Sequence, residues 1–326
     1  MGLNKRAFFF TSISILVLSI LMIGIVPLPT DMEIERIPTI ENRVLTANNY
    51  VHELSNDYIP KALLASSRSA LRSYSNYIIN EKKFETNETM RKNLFSLMLY
   101  GNSTHENLKN NHSLVRLLNN VSKMVNDSMR LQTEITYANY SYFSIYQDNT
   151  TGPWKIAVNY SLNYSIVSDL AKWNISKRKY NIEVHIDNLP DAYLSINSNK
   201  SFNLRNITPS EYVTWNYTSF KNHFNNQTYT WSNVSPNFLS RLHNDTSPGK
   251  DTGMHTIIGT QSGDLGGSLE GGFYNKSFID FCYFSDKCDE IYYNVTKITN
   301  ETYPFRIDRY HLRHYMIGLN SSELYN

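Results

Sequence analysis

Hydrophobic positions change their period along this chain. The first stretch is an unbroken run, AFFFTSISILVLSILMIGIV, from Ala7 to Val26, with no charge. As a helix rising 1.5 Å per residue it would measure roughly 30 Å, the hydrocarbon thickness of a bilayer. Thr11, Ser12, Ser14 and Ser19 fit such a helix because each hydroxyl can bond a carbonyl one turn back. Lys5 and Arg6 precede the run, and Pro27 and Pro29 follow it. Basic flanks favour an inside N-terminus, and proline stops a helix. The pattern predicts one transmembrane helix, with the N-terminus inside and residues 31–326 in the extracellular space. A cleaved secretory signal is the rival, but IGIVPLPTD lacks the small residues of a cleavage site.

The period then becomes helical. Ile37, Ile40, Val44, Ala47, Val51, Leu54 and Tyr58 alternate spacings of three and four, one apolar seam along a rod. Two readings fit this seam: packing on its own domain, or contact with a second copy. Pro60 is expected to kink the rod, and a second stripe runs through Leu64, Leu71 and Ile78. Further helices are predicted over 88–100, ended by Gly101, and over 112–131 with Leu114, Leu117, Leu118, Val121, Met124 and Val125 on one side.

After residue 132 the period is two. In IAVNYSLNYSIV, Ile156, Val158, Tyr160, Leu162, Tyr164 and Ile166 share one face. In YNIEVHID, Tyr180, Ile182, Val184 and Ile186 alternate with Asn181, Glu183, His185 and Asp187. Ile291, Tyr293 and Val295 alternate with Tyr292, Asn294 and Thr296. Such alternation belongs to antiparallel sheets with one wet face. The expected fold class is therefore α+β. It divides into a leader and transmembrane or pilin-like helix (1–30), a helical stem (31–132) and an extracellular β-rich domain (133–326). The Gly-, Ser- and Asp-rich stretch 246–272 reads as a mobile surface loop, with a ligand loop as the alternative.

Twenty Asn-x-Ser/Thr sequons support an outside location: Asn87, Asn102, Asn111, Asn120, Asn126, Asn139, Asn149, Asn159, Asn163, Asn174, Asn199, Asn206, Asn216, Asn226, Asn233, Asn244, Asn275, Asn294, Asn300 and Asn320. Ser and Thr content would give roughly seven by chance. None falls in the first 86 residues, although seven Asn lie there. The two cysteines, Cys282 and Cys288 in FCYFSDKC, are spaced to close a small hairpin disulfide in an oxidising space. A net charge of +2 gives no electrostatic case for nucleic acid. The 24 tyrosines suit broad, half-wet sheet surfaces.

Catalytic chemistry is not legible. There is no GxSxG, HExxH, P-loop or EF-hand pattern. His311 and His314 could share a helix face, but a metal site would need a carboxylate or a third histidine, and Asp308 is the one nearby candidate. Helix packing through Leu312 and Tyr315 is the plainer reading. His185 reads as solvated, and Asp280 and Asp286 as turn and surface groups. No catalytic residue, cofactor or metal is expected, and the chain is expected not to be an enzyme.

The N-terminus, NKRA before FFFTSISILVLSILMIGI, resembles an archaeal type IV pilin precursor. That resemblance implies cleavage between Ala7 and Phe8 by a membrane prepilin peptidase. Ser12 stands at the fifth mature position, where many pilins carry Glu. GPWKIAVNY, SIVSDLAKW and NLPDAYLSI are similar to segments of uncharacterised membrane-anchored archaeal surface proteins. The implied role is a cell-surface glycoprotein serving assembly or adhesion. Its partners would be the membrane and other copies or pilin subunits. The alternatives are a monomeric anchored receptor or adhesin, and an extracytoplasmic hydrolase.

Overall fold

The structure, a computed structural model, describes residues 36–256, 277–295, 305–315 and 324–325, except 104, 106–108, 200–208, 213, 227, 286–287 and 289–290. Among these residues no helix is long and apolar enough to cross a membrane. This corrects two expectations: the fold class with an N-terminal transmembrane helix, and the single-pass membrane localisation with an extracellular C-terminal domain. The physical reason is that the described helices are amphipathic. The longest, Ile59–Glu81, carries Lys61, Arg68, Arg72 and Glu81, charges that are costly in hydrocarbon. The run Ala7–Val26 and the Ala7/Phe8 cleavage point lie outside the described residues.

The chain divides into two compact units, Met1–Asn48 and Asn49–Asn326. Helix α1 (Arg36–Glu53) runs through that division. In the first unit, Ile40 and Leu45 are exposed at 45% and 57%.

In the second unit a π turn, Leu54–Tyr58, leads into α2 (Ile59–Glu81). The expected kink at Pro60 is absorbed here. Pro60 falls in the first turn of α2, where its missing N–H costs no hydrogen bond. The widened turn before it lets Ile59 donate to the Leu54 carbonyl, five residues back. The lower seam is internal: Leu54 is buried, and the Tyr58 hydroxyl donates to the Leu117 carbonyl at 3.2 Å. On α2 the buried stripe uses Leu63, Leu71, Tyr74 and Ile78, whereas Leu64 is exposed. Helix α3 (Asn87–Tyr100) is capped by the Thr86 side chain and ended by Gly101 at φ 80°. Only glycine adopts that conformation without strain, and its N–H satisfies the Ser96 and Leu97 carbonyls. Helix α4 (Leu114–Met129) starts at a Ser113 cap and buries Leu114, Leu118 and Val125, leaving Met124 exposed.

These helices pack on an antiparallel sheet of β1 (Gln132–Tyr137), β2 (Phe143–Tyr146), β3 (Lys155–Val167) and β4 (Lys172–His185). β3 is central, with β1 and β2 sharing one edge and β4 on the other. All six expected inward residues of β3, Ile156 to Ile166, are buried. The opposite face is not uniformly wet, since Ala157 and Ser161 are also buried. Register pairs Ile156 with Val184, Val158 with Ile182 and Tyr160 with Tyr180, so one apolar face continues across both strands. A bulge near Leu162 is stabilised where the Lys177 N–H donates to Asn163 Oδ1 at 2.6 Å. Phe95 of α3 meets the rings of Tyr140, Phe143 and Tyr160, and Arg72 of α2 donates to the Asn188 carbonyl at 2.9 Å.

Beyond β4 the elements shorten. Helices α5 (Ala192–Ser198), α6 (Tyr217–Asn226), α7 (Phe238–Leu242), α8 (Asp280–Phe284) and α9 (Arg309–His314) alternate with a β5–β6 ribbon (Thr230–Trp231, Met254–His255). A small sheet joins β8 (Phe305–Asp308), β7 (Tyr292–Val295) and β9 (Leu324–Tyr325) in that order. They surround a core of Tyr193, Trp215, Phe220, Phe278, Phe281, Val295, Ile307, Leu312 and Tyr315. Of the expected strand 291–296, only Val295 is buried among the described residues.

The stretch 246–272 departs most from expectation. Residues 252–256 thread through the interior, with Met254 and His255 fully buried, and 257–272 lie outside the described residues. Gly253 permits this path. A β-carbon there would stand 2.1 Å from the Ser232 carbonyl oxygen and 2.2 Å from that of Ser235. Backbone atoms cannot yield as a side chain can. Gly253→Ala should therefore destabilise by at least about 1–3 kcal/mol in denaturant titration, whereas Gly152→Ala, with open space around it, should lose only its conformational preference. Equal stability of the Gly253 variant and the parent would contradict this packing.

Candidate functional site

The polar chemistry of the chain converges beneath the surface around α7, α8 and α9. Arg241 lies on α7 at 1% exposure. Its Nη2 donates to Asp191 Oδ2 at 2.6 Å, and its Nη1 donates to Asp280 Oδ2. Each carboxylate also holds backbone. Asp191 Oδ1 accepts from the Leu194 N–H and caps α5, while Asp280 Oδ1 accepts from the Phe281 N–H at the start of α8. The Tyr229 hydroxyl adds a bond to Asp191 Oδ2 at 3.1 Å. The guanidinium lies 5.5 Å from the centre of the Tyr193 ring and 5.8 Å from that of Tyr229. Burial opposes the Arg241 charge, but the two carboxylates outweigh it and hold the guanidinium above its usual value. Burial raises the Asp280 carboxyl against the pull of Arg241. Asp280 is thus a fully buried ion-pair member, a correction to its reading as a surface group; Asp286 lies outside the described residues.

A histidine cluster adjoins this triad. Asp308 ends β8 and caps α9, its Oδ1 accepting from the N–H groups of Tyr310 and His311. Asp308 Oδ2 accepts from His311 Nδ1 at 2.6 Å and from Ser277 Oγ at 2.8 Å. Burial alone would raise this carboxyl, but the bonds from His311 and Ser277 hold it below the ordinary range. His311 Nε2 is buried without a hydrogen-bond partner, and so is His314 Nε2.

His255 of β6 packs against both, its ring centre 5.1 Å from that of His311 and 5.1 Å from that of His314. The Tyr315 hydroxyl bridges His255 Nε2 and, at 3.1 Å, His223 Nε2. The remaining nitrogens are engaged: His255 Nδ1 with Ser235 Oγ at 3.2 Å, and His223 Nδ1 with Thr228 Oγ1 at 2.6 Å. Burial, and then the neighbouring imidazoles, lower His255 well below its usual value. The same causes lower His223 to about 3 and His314 to about 4. Burial raises the Tyr315 hydroxyl.

Cys282 and Cys288 are joined by a disulfide, with α-carbons 5.3 Å apart. Cys282 sits on α8 rather than on the expected hairpin. Its Sγ, an Asp308 carboxylate oxygen and a His311 nitrogen lie within 4.8 Å of one another. The bridged sulfur offers no thiolate, and Asp308 Oδ2 is already committed to His311, so this trio is not a ready ligand set.

His185 is exposed, as expected on the outer face of β4. Leu312 and Tyr315 pack inward. The contributions of His223, His255, Arg241 and Asp191 were not legible, because they come from four separate elements with no fixed spacing. The Asp-x-x-His of 308–311 had one readable signal, that of a helix N-cap. Scanned against family models, curated proteins and solved structures, the chain matches none.

Two outcomes follow from the site. Arg241→Met leaves two carboxylates buried and unpaired and should cost about 3–5 kcal/mol in chemical denaturation; a loss under 1 kcal/mol would contradict the triad. The second concerns acid. The folded values of His223 and His314, about 3 and about 4, lie below the unfolded value near 6.5. The unfolded chain therefore takes up protons that the folded chain refuses. Stability is full above about pH 6.5 and falls as pH drops toward 4 and then 3. Asp308 adds loss in the same direction below the carboxylate range, while Asp280, raised by burial, opposes it. Calorimetric Tm should fall between pH 7 and pH 4, and a level Tm would contradict neutral buried imidazoles.

Proposed function

We propose that this chain is a glycosylated surface protein with a structural role in assembly or adhesion. One observation carries the reading. Of the sixteen sequon asparagines whose burial is described, thirteen are exposed and Asn159, Asn163 and Asn294 are half-buried; none is buried. Of the fifteen described asparagines without a sequon, ten are exposed as well, and two, Asn93 and Asn110, are buried at 3% and 5%. A sugar acceptor must reach solvent, and each described sequon asparagine meets that requirement at least in part.

The disulfide accords with an oxidising space. The hydrolase alternative has the acid and histidine convergence it requires but lacks access. His223, His255 and His311 are each exposed by 1% or less, which leaves no route for a substrate to their nitrogens.

Glycopeptide mass spectrometry on protein isolated from the cells that make it tests the reading. Glycans should occupy the exposed set, including Asn87, Asn120, Asn126 and Asn174. Asn159 should be empty in folded protein, because its Nδ2 donates to the Tyr146 hydroxyl and its Oδ1 is buried without a partner. An unmodified chain would overturn the proposal.

A further inference from the structure

We propose that the Cys282–Cys288 bridge is an exchangeable disulfide, opened and reclosed by low-molecular-weight thiols and disulfides, with Cys288 as the sulfur attacked and Cys282 as the leaving sulfur received by His311. This goes beyond the surface role and does not depend on it. Three observations converge. First, the two cysteines are unequal. Cys282 lies on α8 at 1% exposure, whereas Cys288 is half-buried beyond the end of that helix. An attacking thiolate needs access to the sulfur it strikes, and Cys288 is the member of the pair that meets solvent. Second, the buried sulfur has polar company. His311 Nδ1 lies 3.9 Å from Cys282 Sγ, and Asp308 Oδ2 lies 3.7 Å from it. Asp308 holds the imidazole with its proton on Nδ1, so an N–H is within reach of a thiolate forming at Cys282. The Asp308 charge opposes that thiolate, but four donors already meet it: the N–H groups of Tyr310 and His311, His311 Nδ1 and Ser277 Oγ. A leaving thiolate that is better stabilised departs faster.

Third, the fold around the bridge has other supports. The cysteines are six positions apart, so closing their loop removes little entropy from the unfolded chain. Helix α8 is fixed independently, by the pairing of Asp280 with Arg241 and by the burial of Phe281 and Tyr283. The exchange itself balances. A thiolate R–S⁻ attacks Cys288 Sγ, the S–S bond breaks, and its electron pair leaves on Cys282 as a thiolate that accepts from His311 Nδ1–H. A second thiolate attacks the R sulfur of the mixed disulfide and releases Cys288. The two R–SH are oxidised to R–S–S–R and the bridge is reduced to two thiols, the protons that the R–SH groups gave to water returning to Cys282 and Cys288. A disulfide R–S–S–R runs the same sequence backwards and recloses the bridge.

The test treats the full oxidised chain with dithiothreitol at neutral pH. Alkylation and mass spectrometry count the freed thiols, and circular dichroism follows the fold. Reduction should be first order in dithiothreitol and at least about tenfold faster than unfolding of the same chain, with the native spectrum kept. Reduced glutathione, quenched early, should be found as a mixed disulfide on Cys288, and oxidised glutathione should reclose the reduced bridge. His311→Leu should slow reduction by about tenfold or more. His311→Asn, which returns an N–H donor near the place of Nδ1, should bring the rate back to within about threefold of the parent. Reduction no faster than unfolding, a glutathione adduct on Cys282, or equal rates in His311→Leu and the parent would each overturn the proposal. Should His311→Leu fail to fold, the reduction rate and the adduct position in the parent decide.

Discussion

The pairing of Arg241 with Asp191 and Asp280 is the constraint on which the second half of the molecule depends. Three charges are withdrawn from water, which is tolerable only when each is matched by an opposite charge and a hydrogen bond. The match draws three short helices to one point, since Asp191 caps α5, Arg241 lies on α7 and Asp280 opens α8. Helices of five to seven residues are not stable alone. Here they are held by side chains that must meet one another, with Tyr193 and Tyr229 packed against the guanidinium.

The same economy governs the threading of residues 252–256. Short elements leave little room, and the chain passes between the carbonyls of Ser232 and Ser235 where no β-carbon fits. The outcome is a core unlike the helix–sheet layer before it. That layer is held by aliphatic and aromatic faces in register, from Ile156–Val184 to Tyr160–Tyr180. The later core is aromatic at its centre and polar beside it, with burial disfavouring the charged imidazoles of His223, His255 and His314.

Asparagine is mostly an outside residue here, and the exceptions are tied into hydrogen bonds. The described sequon asparagines are exposed or half-buried, and Asn93, bonded to Glu85, and Asn110, bonded to Ser69, are buried. The half-buried exceptions serve the fold through the amide itself, as Asn163 does when it accepts from the Lys177 N–H at the bulge.

Periodicity alone determined the regular elements. The alternation in β3 and β4 named their buried residues, Gly101 marked the end of α3, and an amphipathic pattern located α4, because these features follow from the two-residue and 3.6-residue repeats of the backbone. The cysteine spacing allowed the bridge, and the charge pattern ruled out little else. The tertiary structure decided the rest. It covered Leu54 and Tyr58 with the domain's own helix and placed Pro60 in the first turn of α2, just after a π turn. It sent Met254 and His255 inward from a stretch that composition marks as loop, and it gave no described helix able to cross a membrane. It also gathered His223, His255 and His311 with Arg241, Asp191 and Asp280 from segments up to about 120 residues apart in sequence. No local pattern encodes such meetings, because burial of a charged or polar group is set by the partner that arrives from elsewhere in the chain.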